Sequence, residues 1–275
     1  MKLYKSEKNI IVNFENKFYY LQGLDWDLFI NDDNLYSKAR SLIRKSNKIS
    51  DKLLTKIDPP IESQELWASG VTYFISKKER QEESEDSGGA QFYEKVYNAD
   101  RPELFFKATK NRIVGHKGNV RIRKDSNWNV PEPEFTLFIT SNKKIVGYTI
   151  GNDMSSRDIE GENPLYLPQA KTYDGCASIG PSIYVIDKPI SKDLSISMEI
   201  TRNDSIVFHE TISLNKMKRD PEELVEYLYR ECSFPNGCFL MTGTGIVPPN
   251  NFSLLINDII NIRIENIGEL INIVK

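Results

Sequence analysis

Apolar and polar positions alternate through residues 1–22, with Leu3, Ile10, Val12, Phe14, Phe18 and Tyr20 on the apolar side and Glu15-Asn16 between two of the runs. A period of two marks strands with one buried face, and Glu15-Asn16 suits a hairpin turn, so this stretch predicts a small antiparallel sheet. A short helix is expected over 35–45. Asp58-Pro59-Pro60 then bars both helix and central strand and predicts a boundary near residue 60. On this reading residues 1–60 form a small N-terminal domain and 61–275 a larger one. In the larger part, 66–73 reads as a buried strand ending in a tight turn. Segments 135–140 and 145–150 flank Ser141-Asn142-Lys143-Lys144, a hairpin-length run of turn formers. Further strands are expected over 182–186, 194–201, 206–210, 259–264 and 269–274. One helix stands out: Asp220 is a good N-cap, Pro221 suits the first turn, Glu222 and Glu223 complement the dipole, and Leu224, Val225 and Leu228 supply an apolar face. The pattern is that of an α+β fold, mainly β.

Composition narrows the class. The 275 residues have the apolar and charged fractions of a soluble globular protein, with no run of about eighteen apolar residues and no apolar core of a secretory signal at the start. A cytoplasmic location and no membrane partner are expected. Net charge is −3, from 36 basic and 39 acidic residues that are well mixed. No basic stripe offers itself to a phosphate backbone, so nucleic acid is not an expected partner. Cys176, Cys232 and Cys238 form no Cys-x-x-Cys pair and read as core thiols. With only His116 and His209, multi-histidine zinc sites are excluded and acid-base chemistry falls to Glu, Asp and Lys.

Candidate chemistry centres on Pro131-Glu132-Pro133-Glu134, placed just before the strand at 135. Residues two apart in an extended chain point the same way, so Glu132 and Glu134 project together. Left alone they repel; an all-oxygen site suits Mg²⁺, with Mn²⁺ or Ca²⁺ as other hard cations. The bland alternative is an exposed polar edge strand. Asp153 follows the second strand of the hairpin, and if the two strands pair through the turn at 141, it returns to the level of the glutamates. The charged segment 76–86, with Gly88-Gly89 behind it, reads either as a solvated insert or as a mobile lid over a site.

These residues also carry a resemblance. Pro131-Glu132-Pro133-Glu134, Gly151-Asn152-Asp153-Met154-Ser155-Ser156-Arg157-Asp158, Gln169-Ala170-Lys171-Thr172-Tyr173-Asp174, Ile179-Gly180-Pro181 and Thr242-Gly243-Thr244 fall in the order seen in the fumarylacetoacetate hydrolase family, over roughly residues 65–275. Within it, Tyr93 to Tyr97, Arg101 to Thr109 and Glu162 to Gln169 most resemble the archaeal 2-keto-3-deoxy-D-arabinonate dehydratases. The resemblance implies a rolled β-sandwich catalytic domain and a homo-oligomer, dimer or tetramer. It implies that Glu132, Glu134 and Asp153 hold a divalent ion, with Lys171 and Glu103 as the acid-base pair. Ser69, Gly70, Thr244 and, from the charged segment, Arg80 are implied contacts to a small 2-keto sugar acid. Hydrolases of the family activate water with a histidine on the segment after the Ser-Gly turn, yet residues 71–100 contain none, and His116 reads as a turn residue. Lacking that base, the chain is expected to act as a lyase. The ion would stabilise an enolate at the 2-keto group, Lys171 would take the C3 proton and Glu103 would protonate the departing C4 hydroxyl, these two roles being interchangeable. Acylpyruvate hydrolysis or decarboxylation of a 2-keto diacid on the same platform, and a non-catalytic metal-binding protein, are the alternatives.

Overall fold

The computed structural model describes residues 1–7, 9–50, 56–76, 81 and 90–275. Its strands are, in chain order, β1 Lys2–Ser6, β2 Asn9–Phe14, β3 Lys17–Leu21, β4 Lys48–Ile49, β5 Glu65–Ala68, β6 Phe105–Thr109, β7 Ile113–Val114, β8 Gly118–Val120, β9 Asn129–Ile139, β10 Ile145–Ser156, β11 Ala177–Tyr184, β12 Ser195–Arg202, β13 Ser205–Ser213, β14 Cys238–Met241, β15 Ile259–Ile264 and β16 Gly268–Val274. Helices are α1 Trp26–Ile30, α2 Leu35–Ile43, α3 Ala90–Asn98, α4 Arg157–Glu162, α5 Leu167–Lys171 and α6 Pro221–Leu228. The predicted N-terminal hairpin forms with Glu15 and Asn16 both at positive φ. At α6 the expected cap is present, the Asp220 side chain accepting from the Glu222 N–H.

Two sheets face each other. The larger runs β4-β3-β2-β1-β11-β10-β9-β14-β5-β6, with β7 on β11; the smaller runs β13-β12-β15-β16-β8. Because β1 pairs antiparallel with β11, the N-terminal strands continue the large sheet. Side-chain alternation on β9 assigns its two faces. Phe135, Leu137 and Ile139 point between the sheets, into a core with Ile196, Met198, Ile200, Ile260 and Ile262. Phe138 points the other way, into a second core with Trp26, Phe29, Ile30, Leu35 and Ile43 of α1 and α2. Glu132 and Glu134 share the parity of Phe138 and so lie on that second face.

Several expectations shift by a few residues, each for a local reason. The hairpin strands extend toward the acids: Pro131-Glu132-Pro133-Glu134 lies inside β9 and Asp153 inside β10. Proline is tolerated at the centre of a sheet here because pairing with β14 starts only at Thr136, so Pro131 and Pro133 have no ladder partner on that side. The edge-strand alternative fails, since every residue of β9 is buried. Among the cysteines, Cys176 and Cys238 are core thiols, but Cys232 is exposed, beyond the last apolar turn of α6. Four apolar residues, Cys238 to Met241, form β14; so short a run does not distinguish strand from helix by periodicity. No helix of the described residues is long and apolar enough to cross a membrane.

Candidate active site

The β9–β10 hairpin sets the register that brings the acids together. Glu132 stands opposite Asp153 and Glu134 opposite Gly151, so the three carboxylates share one face at one end of the ladder. An oxygen from each lies within 4.8 Å of the others, and all three residues are buried. Burial first, then the charges of Asp153 and Glu132, push the Glu134 carboxyl well above the usual carboxylate range. Burial also opposes ionisation of Asp153, but Lys107 and Lys171 overcome it and hold that carboxyl below its ordinary value.

Three cations close the cluster. Lys171 is the last residue of α5, and its Nζ donates to Glu132 Oε2 at 2.7 Å, Asp153 Oδ2 at 3.2 Å and Ser155 Oγ at 2.6 Å. Arg157, first residue of α4, donates from Nη2 to Glu132 Oε1 at 2.7 Å. Lys107 of β6 pairs with Asp153 Oδ1 at 2.5 Å, donates to the Met154 carbonyl at 2.9 Å, and reaches the Lys171 carbonyl as well. All three side chains are buried to 2% exposure or less. Lys107 therefore answers Asp153. Neither Lys107 nor Arg157 is assigned a role by the sequence reading; a lysine inside a strand of otherwise apolar Phe and Ala was the one available signal for the first.

The third wall comes from the turns after β5 and β14. Gly243, at φ +92°, donates its N–H to Glu134 Oε2 at 2.5 Å; a Cβ there would lie 2.1 Å from Thr72 Oγ1 and 2.9 Å from the Ser69 carbonyl, so only glycine fits. Val71 is also at positive φ, uncommon for a β-branched residue, and turns the chain so that Thr72 Oγ1 donates to the Thr242 carbonyl at 2.6 Å. Ser69, Gly70, Phe105 and Thr244 complete the lining with the acids, Arg157 and Lys171. Its free volume is about 10 Å³, because the Lys171 and Arg157 heads fill the space between the carboxylates.

The remaining expected residues divide. Glu103 reaches this wall: its Oε2 lies where a Cβ on Gly70 would sit, 2.1 Å away, and Ser69 Oγ donates to its carbonyl at 2.8 Å. Thr244 lines the cleft while its hydroxyl exchanges hydrogen bonds with the Ile246 backbone. Arg80, most of the charged segment 76–86 and Gly88-Gly89 lie outside the described residues. His116 sits in the turn before β8 and accepts from the Ile271 N–H; His209 is exposed on β13. Neither lines the cleft.

Three hard oxygens, buried and mutually repelling, next to a buried lysine are a fitting donor set for a divalent ion. Residues 67–275 match the fumarylacetoacetate (FAA) hydrolase C-terminal family. This chain belongs to the fumarylacetoacetate hydrolase family. Among its relatives, the 2-dehydro-3-deoxy-D-arabinonate dehydratase of Saccharolobus solfataricus is 47% identical over 236 residues, 84% of this chain and 77% of that one. A probable 2-keto-3-deoxyxylonate dehydratase of Haloferax volcanii is 45% identical over 216 residues, 78% of this chain and 73% of that one. A solved structure of 2-keto-3-deoxy-D-arabinonate dehydratase complexed with magnesium and 2,5-dioxopentanoate superposes with a TM-score of 0.84 at 38% identity, covering 100% of this chain and 99% of that one. The family fold expected from the motifs is thereby confirmed.

Proposed function

We propose that this protein is a magnesium-dependent hydro-lyase that converts 2-dehydro-3-deoxy-D-arabinonate to 2,5-dioxopentanoate. The observation that carries the reading is the buried Glu132–Glu134–Asp153 cluster with Lys171 against it, in a chain similar along its whole length to a dehydratase solved with magnesium and that product. Glu132, Glu134 and Asp153 would hold the ion, which when bound supplies a Lewis acid for the 2-keto oxygen. Lys171 Nζ, fixed at the end of α5, takes the proton from C3 as the neutral amine, having released its own proton when the ion takes over Glu132 and Asp153, and Arg157 offers a guanidinium to the anionic substrate. Glu103, brought to the cleft by Gly70, protonates the hydroxyl leaving C4. The unsaturated acid then rearranges, its terminal CH₂OH carbon becoming the aldehyde. Ser69, Gly70 and Thr244 supply hydroxyl and backbone contacts to the substrate. The cysteines form no disulfide, in keeping with the cytoplasm. The family resemblance points to a homo-oligomer, a dimer or tetramer.

The test is a product assay. Semialdehyde should form from 2-dehydro-3-deoxy-D-arabinonate and stop on chelation, with no cleavage of acylpyruvates. Lys171→Met should lower the rate by about 10²–10⁴-fold, the usual worth of a proton-transfer group, while divalent binding persists. Acylpyruvate cleavage without dehydration, or full activity in the lysine variant, overturns the reading.

A further inference from the structure

A fourth buried acid stands beside the cluster, and the reaction above makes no use of it. Glu160 lies on α4 three residues after Arg157, so the two project from one helical face. It is 1% exposed, with Oε1 4.0 Å from Lys171 Nζ. Among the described residues, Lys171 pairs with three acids: Glu132, Asp153 and Glu160. Two of these are the oxygens that the proposed ion would claim. A divalent charge at those carboxylates weakens their hold on the lysine and repels its ammonium. Ser155 Oγ and Glu160 then remain to keep Lys171 in place.

The balance of charge points the same way. Glu132, Glu134, Asp153 and Glu160 face Lys107, Arg157 and Lys171. Glu160 thus adds a further acid to this buried pocket, and its charge favours a divalent ion beside it. Its placement on α4, which begins directly after β10, ties this acid to the strand carrying Asp153 without making it a member of the ligand set.

We propose that Glu160 is the positioning residue of Lys171, holding the lysine at the substrate once Glu132 and Asp153 are committed to the ion, and raising the pocket's affinity for that ion. The proposal rests on the dehydratase reading for its rate effects, whereas its metal-binding arm does not. Mn²⁺ titration of the substrate-free protein, read by the electron paramagnetic signal of unbound Mn²⁺, should show the Kd of Glu160→Gln raised at least tenfold. At saturating Mn²⁺, kcat on 2-dehydro-3-deoxy-D-arabinonate should fall at least tenfold with KM within threefold. Glu160→Asp, which keeps the charge one methylene shorter, should bind Mn²⁺ as the parent does and lose kcat; it also serves if the Gln variant does not fold. On a Lys171→Met background, Glu160→Gln should cost less than twofold further in residual rate. Unchanged Mn²⁺ affinity with kcat within twofold overturns the proposal, as does an independent tenfold loss on the lysine background. A parent protein that makes no semialdehyde refutes the dehydratase reading and leaves the Mn²⁺ comparison to decide the role of Glu160.

Discussion

Replacing Glu134 by Gln should make the metal-free protein more stable and the metal-loaded protein less so. The change is isosteric, and the amide oxygen can still accept from the Gly243 N–H. What is lost is one of three acids whose oxygens lie within 4.8 Å of each other. At that separation and an effective dielectric of about 20, each ionised neighbour repels by roughly 3.5 kcal/mol. The protein relieves part of this by protonating Glu134, whose carboxyl is raised by burial and by Asp153 and Glu132, and part through Lys171. The folded state therefore holds this proton more tightly than the unfolded chain. Its stabilising effect is complete below the ordinary value of 4.5 and is lost as pH rises through the folded value. In chelator at pH 8, Glu134→Gln should stabilise by about 1–2 kcal/mol, or roughly 2–8 °C in melting temperature for a chain of this size. Magnesium at about a hundred times its Kd should add about 2.7 kcal/mol to the parent and little to the variant, reversing their order, and turnover should vanish in the variant. Calorimetric melts with chelator and with Mg²⁺ provide the measurement. Equal melting in chelator, or equal magnesium shifts, would refute the view that these carboxylates repel until a cation joins them.

Gly70→Ala would put a Cβ 2.1 Å from Glu103 Oε2, and that flexible carboxyl end must swing away. Turnover should drop at least tenfold with Mn²⁺ affinity and melting temperature nearly unchanged; a full rate would remove Glu103 from the mechanism. His116 is held below its ordinary 6.5 by burial, then by Lys117, and its Nδ1 accepts from the Ile271 N–H. Since the unfolded chain takes up that proton more readily, stability should decline as pH falls below 6.5, and His116→Gln should flatten the slope in urea melts between about pH 5 and 7. Identical slopes would count against it.

Much of the site was legible because it is built within one hairpin. A period of two sets Glu132 and Glu134 on one face, and the polar turn at 141–144 brings β10 back alongside them; a bulge between Ile145 and Gly147 then moves the register by one residue and puts Asp153, not Asn152, opposite Glu132. The capped helix α6 was legible for the same reason: its signals lie within one turn. The neutralising cations were not, apart from Lys171, which the family resemblance named. Arg157 meets Glu132 across 25 residues and Lys171 across 39, while the Gly243 amide meets Glu134 across 109. No periodicity links such positions, and the same residue types on an exposed helix would be ordinary surface charge.

Local chain chemistry thus settled the mainly β fold, the hairpin and the shared face of Glu132 and Glu134, since each depends on neighbours a few residues apart along the backbone. Long-range packing decided the rest. It joined β1 to β11, placed β14 beside β9 only from Thr136 onward, and so left room for two prolines in a central strand. It also drew Lys107, Arg157, Lys171 and Glu160 from β6, α4 and α5 into one buried pocket. Burial makes charge balance compulsory, and that balance is a property of the folded neighbourhood that no stretch of sequence contains.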